Sequence, residues 1–197
     1  MIQALLKRVA KCTECEAHLE HGVRPVFQFN SSAKILIAGQ APGRKVHESG
    51  IPFDDASGER LRDWMGIDRG VFYDASQIAI LPMGFCYPGT GKSGDLPPRK
   101  ECAKKWREPM LAALPNIELT LVIGKYAQDY HLNPQICGKA AGVTDIVRAW
   151  QQFWPQNLPL PHPSPRNNIW LKKNPWFDAE VLPALRSRVD NLIQRPA

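Results

Sequence analysis

The sequence predicts an α/β fold in which a parallel sheet is covered by helices on both faces. Two observations carry this. Four short runs rich in Ile, Leu and Val, at 34–39 (KILIAG), 77–83 (QIAILPM), 119–124 (LTLVIG) and 158–162 (LPLPH), read as buried strands, each followed by loop residues. Between them lie helical patterns: in SGERLRDWMG, Leu61, Trp64 and Met65 recur at i, i+3 and i+4, and Gly66 supplies a C-terminal stop. Such alternation implies a parallel sheet with a functional crevice outside the carboxyl ends of its strands.

The elements follow in order. MIQALLKRVAKC reads as an amphipathic helix with Ile2, Leu5, Leu6 and Val9 on its apolar side. It lacks the long apolar stretch and small-residue cleavage site of a secretory signal, so a cytoplasmic location is expected. No apolar run approaches the roughly 20 residues needed to cross a bilayer, so a soluble protein with no membrane partner is expected. The first strand delivers the loop GQAPGRKVHESGIPF, the second GFCYPGTGKSGDLPP, the third GKYAQ and the fourth HPSPRNN. All four loops are expected along one edge. The last helix runs through 178–193, with Pro183 as a kink. The chain of 197 residues shows no internal repeat and no low-complexity linker, so the expectation is one domain over 1–197, acting as a monomer.

The formal net charge of +6 favours a polyanionic partner such as nucleic acid, because neutralising phosphates releases condensed counterions. Five cysteines without a secretion signal argue against a disulfide framework and leave metal binding or inert burial. Cys12 and Cys15 form a C-x2-C pair, and Cys86 and Cys102 stand apart with fifteen residues between them, which leaves Cys137 over. Four of the five could form one site.

GTGKS at 89–93 is not a phosphate loop: the pattern requires glycine five positions before Gly91, where the chain has Cys86. It reads as a surface loop whose lysine can meet phosphate. HPSPRNN is a sharper signal. Two prolines fix a histidine at a strand end, so His162 is presented to the crevice in a restricted backbone geometry. Ser164 offers a hydroxyl and a backbone N–H to phosphate, Arg166, Lys172 and Lys173 add charge, and Trp170 and Trp176 add stacking faces. In GQAPG a tight turn lets backbone N–H groups approach a ligand closely, and the GIPF element brings Phe53 back to the same edge as a stacking face.

These residues carry a resemblance. GQAPGRKVHESGIPF resembles the GEAPG…GRPF segment of the family 4 iron–sulfur uracil-DNA glycosylases. HPSPRN resembles the second motif of the uracil-DNA glycosylase superfamily, closest in form to that of the single-strand-selective monofunctional enzymes. The cysteine spacing is similar to the cluster-binding spacing of family 4. The resemblance implies a three-layer sandwich with a central four-stranded parallel sheet. It also implies a structural [4Fe–4S] cluster held by Cys12, Cys15, Cys86 and Cys102, although zinc would suit the same residue types and Cys137 matches no ligand position.

The implied function is base-excision repair: hydrolysis of the N-glycosidic bond of uracil, or a related deaminated base, in DNA to leave an abasic site. A flipped base would stack on Phe53 beside the backbone of Gly39, Gln40 and Ala41, and His162 would donate to the carbonyl oxygen where negative charge develops. Arg44, Ser164, Arg166, Asn167, Lys172 and Lys173 would meet the DNA backbone.

The chain departs from the pattern in three places. Ala41 stands where family 1 enzymes carry a water-activating aspartate. Val46 and His47 stand where family 4 usually has an acidic pair, with Glu48 displaced by one. His47 and Glu48, ahead of Asp54 and Asp55, are therefore the candidates to orient water. Pro82 stands where uracil-reading members place an asparagine, which permits another base or a backbone reading through Met83 and Gly84. Two other functions fit part of this: a non-catalytic iron–sulfur module that binds lesions or single strands, and a small electron carrier.

Overall fold

The computed structural model describes residues 2–92, 94–132 and 141–193; Cys137 lies outside them. In chain order the strands are β1 (Ile35–Ala38), β2 (Ile78–Ile80), β3 (Thr90–Gly91), β4 (Gly94–Asp95), β5 (Leu119–Ile123) and β6 (Asn157–Leu160). The helices are α1 (Ile2–Ala10), α2 (Arg44–Ser49), α3 (Ala56–Met65), α4 (Arg69–Phe72), α5 (Lys100–Ala112), α6 (Gly124–His131), α7 (Val143–Arg148), α8 (Asn168–Lys173) and α9 (Leu182–Leu192).

The four apolar runs form one sheet in the order β2-β1-β5-β6, parallel throughout. Because successive side chains in a strand point to opposite faces, each strand feeds two cores. Ile35, Ile37, Ile78, Ile80, Leu119, Leu121, Ile123, Leu158 and Leu160 share one core with Leu61 and Trp64 of α3 and with Leu185 and Val189 of α9. On the other face Leu36 and Ala79 pack with Val9 of α1 and with Trp106 and Met110 of α5. Ala38 and Val122 pack there with Ala127 of α6 and Ile146 of α7. Three layers result, as expected. Strands buried on both faces have no reason to alternate apolar with polar residues, which is why they read as continuous runs.

Chain order sets the position of the crevice. From β1 the chain passes to β2 on one side, whereas β5 lies on the other, so the connections diverge beyond the carboxyl ends of β1 and β5. The free edge of β2 is covered: Gln28 and Ile80 exchange backbone hydrogen bonds of 2.9 and 2.8 Å.

The last helix is unbroken to Leu192, and the irregularity expected at Pro183 takes the form of a wide turn of π type over Phe177–Val181, directly before α9 and its Pro183. Trp170 and Trp176 are corrected: they are half-buried, meet edge-on with centroids 5.9 Å apart, and pack against the main core. Trp170 donates to Thr144 Oγ1 at 2.8 Å, and Arg148 lies 4.6 Å over the Trp176 ring. Their faces are used within the protein. Among the described residues no helix is long and apolar enough to cross a membrane.

Candidate active site

The loops after β1 and β6 wall a cleft of about 470 Å³ at the carboxyl edge of the sheet, a size that suits a small planar ligand. Gly39, Gln40, Ala41, Arg44, Phe53, His162, Ser164, Arg166 and Asn167 all line it, so the structure brings together most of the residues picked from the sequence.

Phe53 is held under strain. Its φ of +56° is the left-handed region, which costs a bulky residue on the order of 1–3 kcal/mol and persists only when the surroundings impose it. The Tyr73 hydroxyl donates to the Pro52 carbonyl at 2.9 Å, and the Phe53 ring meets Phe72 edge-on at 6.2 Å and 87°. The first turn of α3 passes so close that a Cβ on Gly58 would stand 1.8 Å from the Phe53 carbonyl oxygen. The tip of the ring lies 3.7 Å from where a Cβ on Gly39 would be, so the aromatic face crosses the end of β1.

His162 is fixed by its own loop. The Ser164 backbone N–H donates to His162 Nδ1 at 3.2 Å, and the Asn167 amide donates to the His162 carbonyl at 2.7 Å. Since Nδ1 accepts, the neutral ring carries its proton on Nε2, the nitrogen left for the cleft. Arg60 of α3 locks the loop from behind, donating to the Ser164 carbonyl at 3.0 Å and to Asn168 Oδ1 at 2.7 Å. Nothing in the sequence marked Arg60 apart from the other basic residues of its helix.

Burial pushes the His162 pKa below its ordinary 6.5, and Arg166 adds to this, against the opposing pull of Asp55 and Asp95. The neutral donor therefore persists at physiological pH. The unfolded chain binds this proton more readily than the folded one, so stability is retained above the ordinary imidazole range and lost as pH falls through it. His131, which burial and Arg107 push down to about 3, acts in the same sense. Protonating Nδ1 would also set an N–H against the Ser164 N–H. Denaturant titrations are expected to show a midpoint that declines below about pH 6.5, with a shallower decline in His162→Gln.

Asp55 and Asp95 share the cleft with His162. Asp55 Oδ1 caps α3, accepting from the Gly58 N–H at 2.9 Å. Asp95 arrives on the β3–β4 hairpin, within the stretch read from the sequence as a loop. The hairpin is held from both motif loops: Gln40 Nε2 donates to the Leu96 carbonyl at 3.2 Å, and Arg166 lies against Gly94, where a Cβ would be 2.8 Å from its guanidinium. Gly94 has a φ of +139°, and its lack of a side chain permits this approach.

Two expectations are corrected. His47 and Glu48 do not line the cleft, because α2 starts at Arg44 and turns Arg44, Lys45 and Val46 inward instead. His47 Nε2 meets the His21 carbonyl at 3.1 Å and its ring packs on Tyr87, while Glu48 pairs with Arg44 at 3.1 Å. Met83 and Gly84 have no free N–H with which to read a base. Their N–H groups donate to the carbonyls of Gly39 and Gln40 at 2.8 and 3.0 Å. Buried Arg107, unsignalled in the sequence, fixes this turn by donating to the Leu81 and Pro82 carbonyls at 2.5 and 3.2 Å. Lys172 and Lys173 are exposed on α8, outside the cleft lining.

Cys12, Cys15, Cys86 and Cys102 line one enclosed void between α1, α5 and the segment after β2. Two of the sulfurs accept an N–H: Cys12 from the Trp106 indole at 3.2 Å and Cys102 from the Phe85 backbone at 3.3 Å. Burial pushes the Cys86 thiol up to about 11 and the Cys102 thiol up to about 12. Thiols this buried become thiolates when a cation sits among them, and N–H donors then tune the sulfurs.

An all-parallel four-stranded sheet between helix layers, with its cleft at the point where the chain connections diverge, defines an α/β protein of the doubly wound kind. Within that class the sequence profile of the "Uracil DNA glycosylase superfamily" matches residues 26–186, and the chain belongs to that superfamily. It is similar to a type-4 uracil-DNA glycosylase of Thermotoga maritima, with 28% identity over 85 residues, 42% of this chain and 44% of that protein. The match thus spans less than half of the relative's length. Phe53, Cys86, Asp95, Cys102 and His162 fall within the profile match, whereas Cys12 and Cys15 precede it.

Proposed function

We propose that this protein is a monofunctional DNA glycosylase that hydrolyses the N-glycosidic bond of uracil or a related deaminated base and leaves an abasic site. The observation that carries the reading is His162: a neutral imidazole with its proton on Nε2, locked at the cleft that Phe53 also lines. A base flipped out of the DNA stack would lie on the Phe53 ring. As the glycosidic bond stretches, the base gains negative charge on its carbonyl oxygen, and the preorganised Nε2–H of His162 stabilises it there. Arg44, Ser164 and Arg166 line the cleft and serve the flanking phosphates, supported by the net charge of +6. Lys172 and Lys173 would add charge beyond the cleft.

With Pro82 in the cleft wall and the Met83 and Gly84 N–H groups engaged, the pocket offers no side-chain amide from this turn to the base edge. Substrate choice then falls to shape and to the Gln40 and Ala41 loop. The test is alkali-labile strand scission of oligonucleotides bearing uracil, hypoxanthine, xanthine or no lesion, as single and double strands. Scission confined to one or more lesions is the expected result; equal traces for all substrates would remove the reading.

The four cysteines are assigned to a [4Fe–4S] cluster. All four cysteines line one void, and a site made of four thiolates suits an iron–sulfur cluster. When bound, the cluster ties the segment after α1 to α5 and to the segment after β2. Anaerobically purified protein is expected to contain iron and sulfide in equal amounts, and Cys102→Ala to lose both together with a lower melting temperature. Zinc without sulfide would replace this assignment.

A further inference from the structure

The hairpin fits neither the stacking ring nor the imidazole, yet both motif loops hold it over the cleft. Its Asp95 reaches the turn where the chain has Ala41: Asp95 Oδ2 is 3.5 Å from where a Cβ on Gly43 would lie, and Gln40 anchors the next residue, Leu96, through its carbonyl. Asp95 and Asp55 both act electrostatically on His162. They differ in duty. Asp55 has one carboxylate oxygen committed to the Gly58 N–H at the start of α3, whereas the only bond to the Asp95 carboxylate among the described residues is a long one of 3.4 Å from Thr90 Oγ1.

We propose that Asp95 is the carboxylate that orients and deprotonates the attacking water, carried in on the hairpin to the place that Ala41 leaves without an acid. The inference rests on the glycosylase reading above. The C1′–N bond breaks with its electron pair leaving on the base, whose carbonyl oxygen faces His162 Nε2–H. Water forms the new C1′–O bond and gives its proton to the Asp95 carboxylate, and solvent then protonates the departed base. A negative carboxylate on the sugar side also stabilises the positive charge that develops on the sugar, while a neutral imidazole on the base side avoids cancelling it. Gly89, Gly91 and Gly94 allow the hairpin its tight return, and the Leu96 N–H closes it on the Gly89 carbonyl at 2.8 Å.

The experiment is single-turnover base release by the wild type, Asp95→Asn, Asp95→Ala and Asp55→Asn on the lesion the wild type prefers, with DNA affinity and melting temperature measured for each. Asp95→Asn is expected to lose roughly 100-fold or more in rate with DNA affinity unchanged or tighter, since a general base contributes about that much and a negative charge leaves the DNA cleft. Added formate is expected to restore part of the rate in Asp95→Ala. An active wild type matched in rate by Asp95→Asn would overturn the assignment to Asp95 alone. So would an equal or larger loss in Asp55→Asn at unchanged melting temperature. A wild type that releases no base from any lesion would instead overturn the glycosylase reading, and this inference with it.

Discussion

His162→Ala is expected to slow single-turnover base release by roughly 100- to 1,000-fold while leaving affinity for lesion DNA nearly intact. The size follows from what the imidazole does. Its Nε2–H is worth little to a ground-state carbonyl, which can keep water as a partner, and much to an oxygen gaining charge beside a donor already held in place. The geometry spends nothing at the moment of reaction, because Ser164 N–H, Asn167 and Arg60 already hold the ring and its loop. Measured rate and affinity separate the possibilities. A loss in affinity with an unchanged rate would make His162 a binding residue, and no change in either would make it a structural one.

Gly58→Ala is expected to be the most damaging alanine substitution among the described glycines. The new Cβ would stand 1.8 Å from the Phe53 carbonyl oxygen and 2.8 Å from the Phe53 Cβ, so the obstacle includes backbone that no rotamer change relieves. Either the first turn of α3 withdraws, loosening the Asp55 cap and Arg60, or Phe53 leaves its left-handed conformation and its ring leaves Gly39. A cost of about 3 kcal/mol corresponds to a melting temperature lower by roughly 6–12 °C for a chain of this size. Base release is expected to fall at the same time. Phe53→Ala is the contrasting case: the ring is half-buried and its backbone strained, so its loss should slow the reaction with a much smaller change in melting temperature. Calorimetry beside the scission assay checks both, and a Gly58→Ala protein as stable and as fast as the wild type would contradict the placement of Phe53.

The sheet was legible because its strands are buried on both faces, which leaves an unmistakable run of Ile, Leu and Val at each. The strand-end motifs were legible for a related reason: glycine and proline mark where the backbone must turn close to a ligand. Helical phase was not. Arg44–Ser49 begins after Gly43, a cap without a side chain, so nothing in the sequence shows that the helix rotates His47 and Glu48 away and leaves Asp55 at the cleft. The hairpin was invisible as a structure because two strands of two residues each have no hydrophobic period. Its position depends on Gln40 and Arg166, which lie 56 and 72 residues away in the chain from their contacts. Trp170 and Trp176 show the converse difficulty, since an aromatic residue in a basic segment looks the same whether it faces DNA or Phe177. The C-x2-C spacing pointed to Cys12 and Cys15 as a pair, but that they share one void with Cys86 and Cys102, beside the N–H donors of Trp106 and Phe85, depends on separate segments of the chain.

Hydrolysis of a glycosidic bond at the His162 and Phe53 cleft is open to direct test by product analysis in heavy-oxygen water. Excess protein is mixed with an oligonucleotide bearing a single uracil or hypoxanthine, and the DNA and small molecules are weighed by mass spectrometry. Free base and an intact abasic strand carrying one heavy oxygen at its sugar are the expected products, absent in His162→Ala. Lesion DNA recovered whole from a tight complex with the wild-type protein would contradict it and make the cleft a binding site without chemistry.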